Sequence, residues 1–355
     1  MIGPWRLADL KDIEPNGLKV FSCFHCGGGS TMGYKLAGFT VLGGVEIDPE
    51  MMDTYRVNHS PVHSFLMGVQ DFKKIPDDQL PPELFDLDVL DGSPPCSVFS
   101  MAGSREDKWG SEHHFREGQA AQRLDDLFFE FIDVAAKLKP RVVVAENVKG
   151  MLLGNARGYV KQIFQALDRA GYSAQLFLFN SAAMGVPQAR ERTFFIAVRK
   201  DLGKRVVMDF AEPPIPFGRV AEAGAKVPLK KSLAERVPYV CRGDRSFADA
   251  DNRMRGKTSF FNNTIFYSSE VAGTVTSSTE NVYFDEMRGL TDTEILNCQT
   301  FPLDYNTGTA KVRYICGMSV PPFMMQRVAL EIGRQVFGVE YSPAVIDNFP
   351  RSAAA

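Results

Sequence analysis

The stretch LKVFSCFHCGGGSTMGYKLAGFTVLGGVEID, residues 18–48, carries the pattern from which the architecture can be predicted. Its first part, LKVFSCF, is a short apolar run that indicates a buried strand, and it ends in the glycine cluster HCGGGSTMG. A helix is expected to follow through Tyr34 and Ala37, and TVLGGVEID indicates a second strand that ends in acidic residues. A strand, a glycine-rich turn, a helix and a strand in this order form a βαβ unit, whose strands run parallel.

The alternation of strands and helices continues beyond this unit. The sequence predicts further helices over residues 49–58, 121–138 and 159–172, and further strands over residues 87–90, 140–148, 173–180 and 192–199. Two later segments, residues 290–301 and 321–337, predict helices that return to the same domain. These elements together predict an α/β fold with a mainly parallel, doubly wound sheet.

The regular alternation of predicted strands and helices ends near Lys200. The segment EPPIPFGRVAEAGAKVPLKK, residues 212–231, is rich in proline, glycine and lysine, which is typical of a domain boundary. We therefore expect one α/β domain made of residues 1–199 and 270–355, interrupted by a small irregular domain of residues 200–269.

Charge is distributed unevenly along the chain. The formal net charge is −3, yet residues 196–260 contain 14 lysines and arginines against 8 aspartates and glutamates. A basic segment on an acidic body suits a groove for a polyanion, because neutralising phosphates supplies most sequence-independent affinity for nucleic acids. Charge alone leaves open that the segment is an ordinary solvated surface.

Composition argues against a membrane or secreted protein. No stretch is apolar over the 18 or more residues that a membrane span needs, and the N-terminal segment is charged where a signal peptide is apolar. The six cysteines are scattered, which suits free thiols in a reducing compartment. We expect a cytoplasmic protein without a membrane partner.

The stretch VLDGSPPCSVFS, residues 89–100, places Cys96 directly after Pro94 and Pro95 at the end of a predicted strand. Proline fixes φ near −65° and removes a backbone donor, so the two prolines form a rigid arm. A thiol at the carboxyl end of a strand in an open α/β sheet is well placed for chemistry. A buried, inert cysteine is the alternative that this stretch leaves open.

The glycine cluster between the first strand and helix could hold a nucleotide-like ligand, although such turns often have no ligand. Glu46 follows about 20 residues later, where a carboxylate can accept hydrogen bonds from ribose hydroxyls. Asp71 could accept from an adenine amino group. Cys23 and Cys26 flank a histidine, but no second pair of ligands accompanies them, so we expect no metal.

Two further segments carry polar groups at predicted strand ends. VVVAENV ends in Glu146 and Asn147, and a carboxyl group there could donate to a heterocycle nitrogen or, equally, cap a helix. QARER places Arg190 and Arg192 before an apolar strand, where they could bind a carbonyl or a phosphate or simply be solvated.

Seven segments, in order, resemble the DNA cytosine-5 methyltransferase family, in its stand-alone bacterial or phage form. FHCGGGSTMGYKLAGF is similar to the cofactor loop, VEIDPEMMDTYRVNH to the ribose segment and SPPCSVFSMAG to the nucleophile loop. ENVKGML, GVPQARERTFFIAVR, RGLTDTEILNCQTFP and GMSVPPFMMQRVA resemble the later blocks. The resemblance implies a Rossmann-like methyltransferase sheet with a small target-recognition domain.

The resemblance also implies a mechanism. The target cytosine would leave the duplex, and Cys96 would attack C6 as a thiolate. Glu146 would hold N3 and the exocyclic amine, Arg192 would bind the O2 carbonyl, and Arg190 would support it or a flanking phosphate. C5 would then take a methyl group from S-adenosyl-L-methionine.

The cofactor residues implied by the resemblance are Phe24, Gly28, Gly29, Glu46, Ile47, Asp71, Phe72, Pro95, Met318, Ser319 and Val320. Three positions depart from the family pattern. Cys26 replaces a glycine of the cofactor loop, Met318 replaces an asparagine, and Ser97 replaces the usual glutamine. The first two put cofactor affinity in question.

The partner implied by the family is double-stranded DNA, with a cognate restriction endonuclease as a further candidate, and we expect a monomer. A related branch methylates tRNA, but its members carry Cys-Phe-Thr where this chain has Cys241-Arg242-Gly243. A catalytically silent binding relative is the second alternative.

Overall fold

A seven-stranded sheet forms the centre of the molecule, and helices cover both of its faces. The computed structural model describes residues 5–95, 112–113, 122–123, 127–152, 156–257, 259 and 261–341. The described strands are β1 (Lys19–Cys23), β2 (Thr40–Glu46), β3 (His63–Leu66), β4 (Val89–Gly92), β5 (Glu112–His113), β6 (Gln122–Arg123), β7 (Val142–Val148), β8 (Tyr172–Asn180), β9 (Glu191–Arg199), β10 (Ile265–Phe266), β11 (Val282–Tyr283) and β12 (Arg288–Gly289). The described helices are α1 (Gly29–Leu36), α2 (Pro49–His59), α3 (Val69–Phe72), α4 (Leu127–Leu138), α5 (Ala156–Arg169), α6 (Lys231–Ala234), α7 (Phe247–Arg255), α8 (Asp292–Cys298), α9 (Val312–Met318) and α10 (Pro322–Ile332).

The sheet has the strand order β3-β2-β1-β4-β7-β9-β8. The chain moves outward from β1 to β3 and then returns to β4, so the order reverses between β1 and β4. Such a switch point opens a ligand crevice at the carboxyl ends of the strands. The predicted doubly wound α/β fold is therefore confirmed.

One strand departs from the parallel arrangement: β9 runs antiparallel to both β7 and β8. Only ten residues separate the end of β8 from the start of β9. A parallel crossover needs a dozen or more residues, so a connection this short returns the chain in the opposite direction.

The central strands are buried on both faces, which explains their continuous apolar sequence. On β1, Val20 faces one core cluster, together with residues of α1 and α10. Phe21 faces the second cluster, which also contains Phe131 of α4 and Ile163 of α5. Consecutive residues of a strand point to opposite faces, so a single short strand contributes to both cores.

The boundaries of several elements differ from the expectation. The helix predicted over residues 121–138 is described only from Leu127, and Gln122–Arg123 instead pairs with Glu112–His113 as an antiparallel ribbon. α9 and β3 were not predicted, because both are short and mixed in polarity. The helix predicted at 49–58 is confirmed as α2, whose start is fixed by Asp48, since its side chain accepts from the N–H groups of Glu50 and Met51.

The irregular basic segment folds around a small core of its own, made of Leu233, Phe247, Ile265, Tyr267 and Val282. Its three-stranded sheet pairs β10 with β11 in parallel and β11 with β12 antiparallel. The sheet therefore joins chain segments from both sides of residue 269. Among the described helices, none is long and apolar enough to cross a membrane.

Close packing of α1 on α10 depends on Gly33. A Cβ placed on Gly33 would lie 2.4 Å from Cβ of Met325 and 2.7 Å from the carbonyl oxygen of Pro322. We expect Gly33→Ala to lower the free energy of unfolding by about 1–3 kcal/mol, because overpacking outweighs the better helix propensity of alanine. Urea unfolding followed by circular dichroism measures this change.

Gly158 in α5 is the matched control, since nothing lies within 4 Å of a Cβ built there. Gly158→Ala should stabilise the protein by up to about 1 kcal/mol through helix propensity alone. Equal effects of the two substitutions would contradict the packing argument.

Candidate active site

Polar side chains from five neighbouring strands form a row along one edge of the sheet. The row consists of Glu46 on β2, Ser22 on β1, Asp91 on β4, Glu146 on β7 and Arg192 on β9. The register pairs Ser22 with Asp91, and Asp91 with Val144, two residues before Glu146. Alternate residues of a strand share a face, so the row lies on one face, at the edge where α/β sheets bind ligands.

The turn between β1 and α1 is shaped by left-handed backbone conformations. Phe24, Cys26 and Gly28 have φ values of 56°, 47° and 79°. A Cβ on Gly29 would lie 2.2 Å from the carbonyl oxygen of Val320 and 2.8 Å from Cβ of Ser319. Only glycine fits at this position, and the turn is packed directly against the segment that precedes α10.

Glu46 holds this turn in place. Its Oε2 accepts from the N–H of Cys26 at 2.9 Å, and its Oε1 accepts from the N–H groups of Ile47 and Asp48 at 2.8 and 3.0 Å. Burial raises the pKa of Glu46, and these N–H groups oppose that rise. One lone pair of Oε2 remains for a ligand hydroxyl.

Cys26 takes the place of a glycine without breaking the turn. Its N–H still reaches Glu46, and its Sγ lies 3.5 Å from Sδ of Met51. The substitution therefore costs backbone strain at φ +47°, partly offset by this sulfur contact.

Asp91 is a member of the row that the sequence analysis missed. The Oγ of Ser22 donates to Oδ2 at 2.9 Å, and the hydroxyl of Tyr34 donates to Oδ1 at 3.4 Å. Burial first, and then the charge of Glu146, raise the pKa of Asp91 to about 7. The signal in the sequence was a carboxylate inside the apolar strand VLDG.

Glu146 and Arg192 form a buried ion pair, with Nε of Arg192 3.0 Å from Oε1 of Glu146. Arg192 also donates through Nη1 to the carbonyl of Glu191 at 2.8 Å, and its Nη2 donates to no described residue. The pair therefore presents a carboxyl group and an unused N–H donor side by side.

The end of β7 also holds the proline arm. Nδ2 of Asn147 donates to the carbonyl of Pro94 at 2.9 Å. Pro95 follows in the described chain, whereas Cys96 and Ser97 lie outside the described residues. The arm that leads to Cys96 is thus fixed beside Glu146.

Arg190 was expected to support Arg192 or to contact a flanking phosphate, and its burial rules out the contact with a phosphate. It is one of the largest fully buried side chains, and it donates to the carbonyls of Val275 at 3.0 Å and Gly317 at 2.8 Å. Burial lowers its pKa. Its guanidinium joins the start of β9 to two later chain segments, which leaves it no surface for a phosphate.

Asp71 and Phe72, both expected to contact the cofactor, lie in different environments on α3. Asp71 is exposed and pairs with Lys74 at 3.0 Å, while Phe72 is fully buried against Phe21 and Phe65. Only the backbone of Phe72 could reach a ligand. Beside them, the buried Oε1 of Gln70 has no hydrogen-bond partner in the described part of the chain, and it is a candidate acceptor that the sequence analysis did not consider.

The segment after α9 supplies the other wall of the crevice. Met318 is 42% exposed at the end of α9, and Val320 is buried. Oγ of Ser319 is buried without a hydrogen-bond partner among the described residues, although the Ser319 carbonyl accepts from Nε2 of Gln299 at 2.7 Å. A buried hydroxyl without a described partner beside the glycine turn is a candidate hydrogen-bonding group for a ligand.

The described residues contain no group of three or more histidines, cysteines, aspartates or glutamates arranged to hold a metal ion. The site therefore consists of a glycine turn, a row of carboxyl groups, an arginine and the arm to Cys96.

The family model for C-5 cytosine-specific DNA methylases matches residues 18–334. The chain belongs to this family. The match extends from the first residue before β1 to α10 and the turn that follows it, so it includes every strand of the row.

Bacterial relatives match the same region. The Type II methyltransferase M1.HphI of Haemophilus parahaemolyticus is 31% identical over 337 residues, which cover 88% of this chain and 86% of the relative. The Type II methyltransferase M.NgoPII of Neisseria gonorrhoeae is 32% identical over 219 residues, covering 61% of this chain and 56% of that enzyme. The chain thus matches just over half the length of this second relative.

Solved structures share the fold. An E. coli prophage protein described as a DNA modification methyltransferase superposes with a TM-score of 0.65 at 18% identity, covering 90% of this chain and all of that one. A DNMT2 mutant from Spodoptera frugiperda superposes with a TM-score of 0.61 at 16% identity, covering 88% and 98%. At these identities the comparison supports the Rossmann-like architecture.

The buried role of Arg190 can be tested by its removal. Arg190→Met leaves the carbonyls of Val275 and Gly317 without a donor, and we expect the free energy of unfolding to fall by about 2–4 kcal/mol. Arg199, at the end of β9, makes its ion pair at the surface and serves as the control. Arg199→Met should cost much less in the same urea titration, and an equal loss would argue against a buried anchoring role.

Proposed function

We propose that this protein is an S-adenosylmethionine-dependent DNA (cytosine-5-)-methyltransferase, which flips a target cytosine out of a short duplex sequence and methylates its C5. The observation that carries the proposal is the Glu146–Arg192 pair, held beside the proline arm that leads to Cys96. Membership of the methylase family supports the same reaction.

The crevice fits S-adenosylmethionine. Glu46 keeps one lone pair for a ribose hydroxyl, and the hydroxyl of Ser319 lacks a partner among the described residues. Phe24 belongs to the same turn, Ile47 follows Glu46, and we propose that both, together with Pro95 of the proline arm, border the cofactor. The cofactor, when bound, supplies an electrophilic methyl group on a sulfonium.

The chain's own groups would then act on the extruded cytosine. The Cys96 thiolate adds to C6, and Glu146, when it carries a proton, donates to N3, so that electron density moves to C5. The unused N–H of Arg192 donates to the O2 carbonyl and stabilises the same charge. After C5 has gained the methyl group and lost its proton to a base, the bond to Cys96 breaks and aromaticity returns.

The small basic unit would face the duplex. Exposed basic residues cluster on it: Arg242, Arg245, Arg253, Arg255 and Lys257. Several pair with acids, as Arg242 does with Asp285 at 3.4 Å, whereas exposed surface pairs contribute little and can exchange for phosphates. We propose double-stranded DNA as the partner of a cytoplasmic monomer, with a cognate restriction endonuclease as its companion, in line with the Type II relatives.

Bisulfite sequencing of DNA from a methylation-free bacterial host that expresses the chain tests the reaction and the role of Cys96 together. We expect protected cytosines in one sequence context, and no protection with Cys96→Ser, because serine cannot supply a comparable nucleophile. Binding of a duplex containing that context should survive the substitution in a gel-shift assay.

Loss of both binding and methylation in Cys96→Ser would argue against a purely chemical role for this residue. Methylated tRNA without protected DNA would favour the RNA alternative. Absence of both methylation and cofactor binding in the wild-type protein would favour a silent binding relative.

Met318→Asn restores the family's amide at the end of α9. We expect tighter binding of S-adenosylmethionine in isothermal titration calorimetry, because an amide can form hydrogen bonds that a thioether cannot. Met254, an exposed methionine of the small unit, is the control position, and Met254→Asn should leave the affinity unchanged. Unchanged or weaker binding by Met318→Asn would contradict the idea.

A further inference from the structure

Asp91 lies in the middle of the row, between the two groups that the proposed function assigns to opposite ends of the reaction. Strand order places β2 with Glu46 on one side, β7 with Glu146 on the other, and β1 and β4 between them. If Glu46 holds the ribose and Glu146 holds the cytosine, the methyl group has to pass between them. Asp91 is the carboxyl group at that point of the sheet edge.

The surroundings of Asp91 are unusual for a buried acid. It is 2% exposed, and its two partners are the neutral hydroxyls of Ser22 and Tyr34. Within the described ranges, no lysine, arginine or histidine pairs with it. A buried carboxylate ordinarily requires a cationic partner, so this one lacks its compensating charge.

Among the described residues, each titratable group that interacts with Asp91 is either neutral or acidic at neutral pH. Tyr34 of α1 donates a hydrogen bond to Asp91, and the negative charge of Asp91 also acts on Tyr55 of α2. Burial raises the pKa of both phenols. Burial likewise raises the pKa of Cys23 on β1. Glu146 on β7 adds a like charge. Burial and the charge of Glu146 oppose ionisation of Asp91, the hydrogen bonds from Ser22 and Tyr34 favour it only in part, and a positive ligand would tip the balance towards the anion.

We propose that Asp91 is the counter-charge for the sulfonium of S-adenosylmethionine, and that it lets the site distinguish the charged cofactor from its neutral product. The inference rests on the proposed function. The sulfur is positive before methyl transfer and is a neutral thioether in S-adenosylhomocysteine afterwards. An anion at Asp91 attracts only the first of these, so the product would be held less tightly and leave.

Binding of the charged cofactor should therefore ionise Asp91 and release its proton to solvent. The carboxyl group is mostly protonated at pH 6 and mostly ionised at pH 8, since its pKa is raised to about 7. Affinity for S-adenosylmethionine should thus rise about tenfold from pH 6 to pH 8, with about one proton released on binding at pH 6. Both ligands share the amino-acid and adenosine parts, so S-adenosylhomocysteine reports everything except the sulfonium.

Isothermal titration calorimetry of the full chain with each ligand tests the proposal, at pH 6, 7 and 8 and in buffers of different ionisation enthalpy. We expect the affinity ratio of the two ligands to increase with pH in the wild-type protein. Asp91→Asn keeps the shape of the protonated acid but cannot ionise, so the ratio should become independent of pH and fall by about tenfold at pH 8. Asp88→Asn, a buried carboxyl group just ahead of β4, is the control and should keep the wild-type pH dependence.

The pH dependence of the wild-type protein tests the proposal without any substitution, so a result is obtained even if Asp91→Asn does not fold. Equal pH dependence for the two ligands, or a ratio that persists in folded Asp91→Asn, would overturn the proposal. If S-adenosylmethionine does not bind at any pH, the proposed function itself fails on its cofactor. If both ligands bind but do not differ, only the role of Asp91 fails.

Discussion

β9 runs against its neighbours, and the site depends on that one reversal. Parallel strands all end at the same edge, so β1, β2, β4 and β7 can bring only their last residues there. An antiparallel strand begins at that edge, and β9 therefore delivers its first residues, with Arg192 beside Glu146. A fifth parallel strand in the same place would put Arg192 at the opposite end of the sheet. The ten-residue connection from β8 enforces the reversal.

A buried polar network fixes the return of the chain from the small basic unit to the sheet. The N–H of Val275 donates to Oε1 of Gln188 at 2.8 Å, and the Val275 carbonyl accepts from Arg190. Gln188 donates in turn to Gln299 at 2.7 Å, and Gln299 donates to the carbonyl of Ser319 at 2.7 Å. Because each member of a buried network loses a partner when another moves, the return segment and the cofactor side of the crevice are held in register.

Much of this arrangement could be predicted from the sequence, because the periodicity of a buried strand and the glycines of a turn are local signals. The βαβ start and the position of Glu46 follow from such signals, whereas the grouping of Glu146 with the arginines was implied by the family resemblance. The direction of β9 does not, since an apolar strand has the same pattern whichever way it runs. The difference between Arg190 and Arg192 also arises only in three dimensions, because the two residues are neighbours at the start of β9 and tertiary packing buries the first.

Phe72 and Asp91 are two further residues whose roles the local sequence pattern does not reveal. An aromatic residue next to an acid resembles a ligand contact, yet Phe72 completes a core cluster. A carboxylate within an apolar strand departs from the local hydrophobic pattern. Such departures are concentrated at functional sites, where residues that lower folding stability are kept for their chemical role.

The three carboxyl groups of the row differ in how their burial is compensated, and that difference separates their roles. Glu46 is bound by three backbone N–H groups, which do not titrate and so fix it as an acceptor. Glu146 has a guanidinium, whose charge is permanent but whose geometry leaves room for a base. Asp91 has only hydroxyls, which can donate to an anion or rotate away from a neutral acid. Among the three, Asp91 alone has neither backbone N–H groups nor a guanidinium as its described partners, and the charge of a bound ligand can therefore determine its protonation state.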